Sequence, residues 1–94
     1  MGRVPTQKTI MALVSNLSNP QILYAGSGDG VFKSEDAGGT WQAMNTGLSE
    51  TRVVSVALYP TEPSQVYALT ASGVVFRSTD GAATWQRQGQ LPQE

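Results

Sequence analysis

Short apolar runs of four to six residues recur along this chain, each closed by turn-forming residues. Ile10–Ser15 and Val53–Leu58 are apolar at alternate and intervening positions, the pattern of a strand covered on both faces. Ile22–Ala25 and Val66–Thr70 form a second pair of runs, and Val31–Ser34 and Val74–Ser78 a third. A fourth pair, Thr40–Met44 and Thr84–Gln88, is wetter, with Gln42 in one and Gln86, Arg87 and Gln88 in the other. The connections Asn16–Pro20 and Tyr59–Pro63 carry Asn, Ser and Pro turn chemistry. No stretch of about ten or more residues keeps a helical period. The pattern predicts an all-β chain of eight short strands in two groups of four, each grading from an apolar first strand to a polar fourth.

The two groups are copies of one unit. Ser34-Glu35-Asp36-Ala37-Gly38-Gly39-Thr40-Trp41 recurs 44 residues later as Ser78-Thr79-Asp80-Gly81-Ala82-Ala83-Thr84-Trp85. Upstream, Pro20, Leu23, Tyr24 and Ala25 match Pro63, Val66, Tyr67 and Ala68 at a spacing of 43, while Val31-Phe32-Lys33 matches Val75-Phe76-Arg77 at 44. The one-residue difference falls in the Gly-rich loop Gly26–Gly30. A period of about 40–45 residues is that of a four-stranded propeller blade. In a blade the first strand lines the central axis and the fourth lies at the rim, which matches the polarity gradient. The expected layout is a blade over residues 8–45, a linker over 46–50, a second blade over 51–88 and a linker-like tail over 89–94, with Leu91 matching Leu48. Alternating strand direction places Gly26–Gly30, Ala71–Gly73 and the linker on one face, and the two signature turns on the other.

Composition narrows the function classes. The 94 residues make at most one domain. Net charge is −1, with six basic and seven acidic residues well mixed, so no basic stripe suggests nucleic acid as a partner. No apolar run approaches the roughly 18 residues of a membrane span. The start of the chain lacks the apolar core of a secretory signal, so a cytoplasmic location is the default expectation. Cysteine and histidine are both absent, which removes thiolate chemistry, the usual general base and the usual transition-metal ligand.

The two signatures resemble the Asp-box, or bacterial neuraminidase repeat, of sialidases, xyloglucanases, Vps10/sortilin-type receptors and photosystem II stability/assembly factors. The resemblance covers nearly the whole chain, from about Lys8 to Gln88, and implies β-propeller blades. The first box matches every fixed position; the second carries Ala82 where Gly is usual, which is expected to alter its turn slightly. The residue types suggest a brace. Asp36 and Asp80 can accept N–H groups of the turn that follows. Gly38 and Gly39 permit conformations costly to other residues. Ser34, Ser78, Thr40 and Thr84 can add hydroxyl bonds, and Trp41 and Trp85 large buried area between sheets.

A catalytic role fits poorly. The sialidases that the chain resembles also need an arginine cluster, a tyrosine nucleophile and acidic partners, whereas the arginines here are scattered at Arg3, Arg52, Arg77 and Arg87. A glycosidase needs two carboxyls facing one cleft, and Asp36 and Asp80 stand one repeat apart. One carboxylate per box is also a poor hard-cation site. No catalytic residue, cofactor or metal is therefore expected. Candidate contacts for a binding module are Ser27, Asp29, Ser72, Leu48 and Glu50, against ordinary solvated loops as the alternative. Two blades alone leave apolar faces open, expected to carry Met11, Leu13, Val54, Val56 and Leu58. That points to a scaffold that joins copies of itself into a ring, trimer or tetramer, with another protein as a further possible partner. The alternative is a piece of a larger Asp-box propeller, such as a glycoside hydrolase or carbohydrate-binding protein.

Overall fold

The computed structural model describes residues 4, 6, 8–59 and 61–90. Its strands are β1 (Ile10–Asn16), β2 (Asn19–Ser27), β3 (Gly30–Ser34), β4 (Gln42–Ala43), β5 (Val53–Tyr59), β6 (Glu62–Thr70), β7 (Val74–Ser78) and β8 (Gln86–Gln90). They form two antiparallel four-stranded sheets, in the orders β1-β2-β3-β4 and β5-β6-β7-β8. Each sheet is a simple up-and-down meander, because each connection is short enough to pair consecutive strands. The repeat reaches the irregularities as well. β1 breaks register between Ile10 and Ala12 and between Ser15 and Asn16; β5 does so between Val53 and Ser55 and between Leu58 and Tyr59.

β2 and β6 begin earlier than the apolar runs. Asn16 Oδ1 accepts the N–H groups of Ser18 (2.9 Å) and Asn19 (3.2 Å), which closes the β1–β2 turn tightly and recruits Asn19–Gln21 into the ladder. β4 keeps only Gln42 and Ala43, whereas β8 runs on to Gln90, beyond the expected end at Gln88. The match of Leu91 to Leu48 lies outside the described residues.

The core is the space between the sheets. Tyr24 and Val31 of the first sheet and Leu48 of the linker meet Val53, Val56, Val66, Ala68, Val74, Phe76 and Trp85 of the second. Val53 and Val66 are fully buried, each worth about 1.5–3 kcal/mol. Gly26 makes the close approach possible: a Cβ there would lie 2.8 Å from Val53 Cγ1 and 2.9 Å from Val56 Cγ2.

The expectation that both first strands are covered on both faces holds for neither copy in full. β5 buries only Val53 and Val56 and leaves Ser55, Ala57 and Tyr59 exposed, and no residue of β1 but Asn16 is buried. Val56 and Leu58 also belong to the internal junction rather than to an open face, Val56 in the core and Leu58 packed against it. Exposure in these strands follows from which side of the blade has a neighbour.

Candidate functional site

In the two signature hairpins the Ser, Asp and Thr residues make the same bonds twice. Ser34 Oγ donates to Asp36 Oδ1 (2.9 Å) and accepts the Gly38 N–H (2.8 Å). Asp36 then accepts the Thr40 N–H on Oδ1 (2.8 Å) and the Thr40 hydroxyl on Oδ2 (2.7 Å). In the second hairpin Ser78 Oγ donates to Asp80 Oδ1 (2.7 Å) and accepts the Ala82 N–H (2.9 Å). Thr84 binds Asp80 through its N–H (2.9 Å) and hydroxyl (2.6 Å). Bonds from Thr40 N–H and hydroxyl and from Ser34 stabilise the ionised Asp36 and lower its pKa from 3.8 to about 2. The Thr84 and Ser78 hydroxyls and then the Thr84 N–H lower that of Asp80 to about 2 as well. Each carboxylate is thus committed to its own turn and holds no proton to transfer near neutral pH.

Ala82 does not alter its turn. Each hairpin needs two successive residues at positive φ, and each fills them with one glycine and one alanine in opposite order: Ala37 (59°) and Gly38 (92°), Gly81 (69°) and Ala82 (74°). The Ala82 methyl is fully buried in the core, which offsets the strain of the left-handed conformation.

The loop candidates divide. Ser27 is fully buried and its Oγ accepts the Asp29 N–H (3.0 Å), so it braces the β2–β3 turn rather than offering a surface contact. Leu48 is likewise buried in the core. Gly47 turns the linker inwards with φ of 92°, so close to Trp85 that a Cβ would lie 2.3 Å from its carbonyl oxygen. Asp29 is exposed and accepts the Thr6 hydroxyl. Ser72 donates to Glu50. These loops and the linker share one end of the sheets, where Asn45 Oδ1 also accepts the Val31 N–H (2.8 Å). At the other end, Ala37 N–H donates to the Gln21 carbonyl (2.8 Å) and Gly81 N–H to that of Ser64 (2.9 Å).

Two side chains fasten one sheet to the other, Trp85 of the second signature and Lys33, which residue types alone did not single out. Trp85 Nε1 donates to the Met44 carbonyl (2.8 Å). In return, Lys33 Nζ donates to the Gly81 carbonyl (3.1 Å), while standing 5.6 Å from the Tyr24 ring centre and 3.5 Å from Glu35 Oε2. Burial raises the Tyr24 pKa, which keeps its hydroxyl neutral. Trp85 also donates its backbone N–H to the Thr46 carbonyl (2.8 Å). Trp41 has the same place in its own hairpin but is only half-buried, and its Nε1 has no partner.

A cleft of about 420 Å³ opens between the β1–β2 and β5–β6 turns. Val14, Leu17, Val56, Leu58, Tyr59 and Pro63 line it, and its described lining contains no carboxylate or arginine. Among the described residues no three of His, Cys, Asp and Glu come together as a metal site.

No family model matches the chain. It is 33% identical over 67 residues to vacuolar protein sorting/targeting protein 10 of Pyricularia oryzae, a match covering 69% of this chain and 4% of that protein. Solved structures share the fold. YCF48 from Cyanidioschyzon merolae superposes with a TM-score of 0.73 at 22% identity, over 97% of this chain and 27% of that one. An ancestral GH74 enzyme gives 0.71 at 23% identity, over 90% and 14%. The GH74 xyloglucanase of Xanthomonas campestris gives 0.71 at 15% identity, over 92% and 16%. The chain therefore spans about a quarter or less of the length of the proteins it resembles.

Proposed function

We propose that this chain, whose two sheets resemble β-propeller blades and carry Asp-box-like hairpins, is a non-enzymatic scaffold whose copies join head to tail into a closed ring of blades. The reading is carried by one contrast between matched positions. Leu13 is 62% exposed and its counterpart Val56 5%; Ile10 is 39% exposed and its counterpart Val53 fully buried. The second blade is sealed on this side by the first, while the first presents the same apolar surface to solvent. A blade of this kind is a heterologous contact, in which one side of a copy meets the other side of the next, and such contacts close into rings when the rotation allows. Propellers have about four to eight blades, so pairs of blades close as two, three or four copies, with three or four favoured.

The absence of catalysis is supported by the chemistry of the hairpins. Asp36 and Asp80 each hold their own turn, and the apolar cleft is lined without carboxylates. Light scattering tests the scaffold, with a mass three or four times that of the 10.0 kDa chain expected. Assays on fluorogenic sialosides and β-glucan oligomers test the rest. Turnover abolished by one carboxylate substitution would overturn the non-enzymatic reading. A second reading is favoured by the small share of each relative that the chain spans: a piece of a larger Asp-box propeller, whose other blades cover these faces. A soluble monomer is the result that would support it.

A further inference from the structure

Resting on the ring reading, we propose that each joint between copies is locked by the same pair of hydrogen bonds that fastens the two blades within one chain. At the internal junction the later blade donates an indole N–H, from Trp85 to the Met44 carbonyl. The earlier blade donates a cation in return, from Lys33 to the Gly81 carbonyl. The repeat carries each of these four residues to a counterpart. Trp41 stands for Trp85, Gln88 for Met44, Arg77 for Lys33 and Ala37 for Gly81.

Two buried side-chain polar atoms among the described residues have no partner, Trp41 Nε1 and Arg77 Nε. They belong to the two counterpart donors, one in each blade. A buried N–H left unpaired costs about as much as a hydrogen bond gains, so such groups are rare; both are covered by their own chain in the single copy and would meet their acceptors as the side chains turn towards a neighbouring copy. The two orphans share their place in the repeat although one precedes β4 and the other lies in β7, and they differ in chemistry.

The acceptors are suitably placed. Ala37 is exposed, with φ of 59° close to the 69° of Gly81, so the two turns carry similar backbone at this position. Gln88 is exposed too, and it is the residue the ladder skips: β7 pairs Val75 with Gly89 and Phe76 with Arg87. A bulged residue is left out of the regular pairing of the ladder, and the carbonyl of its counterpart Met44 is the one that accepts from Trp85. The joint then reads as follows. Trp41 of one copy donates to the Gln88 carbonyl of the copy before it, and Arg77 of that copy donates to the Ala37 carbonyl of the first. Arg77 already has one Nη bound to Gln65 Oε1 (2.7 Å), which fixes the guanidinium beside its own sheet. Donors and acceptors lie on both sides of one chain, so the occupant that satisfies both sides at once is a second copy of it.

The test uses the whole chain in three forms: wild type, Trp41→Phe and Arg77→Met. Both substitutions keep most of the apolar bulk and delete the donor. Sedimentation equilibrium gives the concentration at which half the copies separate. Each substitution should raise it about tenfold or more, the usual consequence of losing a buried hydrogen bond. The chain has two tryptophans, so its nitrogen-15 spectrum shows two indole N–H signals. The Trp85 signal should be protected from exchange at every concentration. The Trp41 signal should move downfield as copies assemble and its indole N–H gains an acceptor. If wild type assembles and both variants assemble equally well, with an unmoved Trp41 signal, the lock is wrong and the ring survives. If wild type is a monomer at every concentration, ring and lock fall together.

Discussion

Replacing each tryptophan in turn by alanine separates the sealed side of a blade from the open one. Trp85 is 4% exposed, and both its indole and its backbone N–H donate across the blade junction at 2.8 Å. Truncating a buried Trp costs about 3–5 kcal/mol, through lost contacts and the cavity left behind. A domain of this size holds about 5–15 kcal/mol in total, so Trp85→Ala removes a large share. Trp41 is half-buried, with no partner for its indole. Its removal should cost roughly 2 kcal/mol in the separated chain, because only part of its area leaves water. With a urea slope of about 1–3 kcal/mol/M, Trp85→Ala lowers the midpoint by roughly 2 M and Trp41→Ala by roughly 1 M. Urea titrations followed by far-ultraviolet circular dichroism, run on dilute protein, measure both. In concentrated protein the two losses should converge, as assembly buries Trp41. Equal losses at every concentration would refute the idea that the two tryptophans differ only in having a neighbour.

Other perturbations follow from the same geometry. Ala37 is exposed at φ 59°, so Ala37→Gly should relieve strain and stabilise by about 0.5–1 kcal/mol, read as a higher urea midpoint; a lower one would count against the turn described. Gly26→Ala would set a methyl 2.8 Å from Val53 Cγ1 between the sheets and should destabilise by about 1–3 kcal/mol; a neutral effect would mean that the blades sit further apart. Asp36 and Asp80 titrate near 2 in the folded chain against 3.8 ordinarily, so their contribution is complete above about pH 4 and is lost as pH falls towards 2. Thermal midpoints should stay level down to about pH 4 and drop below it, and the double variant Asp36→Asn, Asp80→Asn should flatten that drop. An unchanged slope in that variant would remove the two carboxylates as its cause.

Much of the fold was legible because it is local. Alternating apolar runs marked the strands, and the Ser, Asp and Thr spacing of each hairpin implied the bonds that form. What could not be read depends on neighbours in space. Trp41 and Trp85 look alike in sequence, yet one is half-buried and the other buried, because only the second faces a preceding blade. Lys33 and Gly81 lie 48 residues apart, and no local pattern foretells their bond. Leu48 reads as a loop contact because it follows Asn45-Thr46-Gly47, but that glycine turns the linker under Trp85 and carries Leu48 into the core. Arg77 reads only as one of four scattered arginines until its repeat counterpart Lys33 is seen reaching across the junction.

The claim that copies join head to tail is tested most directly by blocking one side at a time. Leu13→Lys charges the open side of the first blade, where the leucine is 62% exposed and its own fold tolerates the change. Leu69→Lys charges the far side of the second blade, since Leu69 is the counterpart of Gly26, whose absent side chain would point at the neighbouring blade. Each variant keeps one working side and should sediment alone as a monomer of 10.0 kDa. Mixed in equal amounts, the intact sides should meet and give a dimer that grows no further. A larger ring formed by either variant alone, or a mixture that stays monomeric while wild type assembles, would contradict head-to-tail closure.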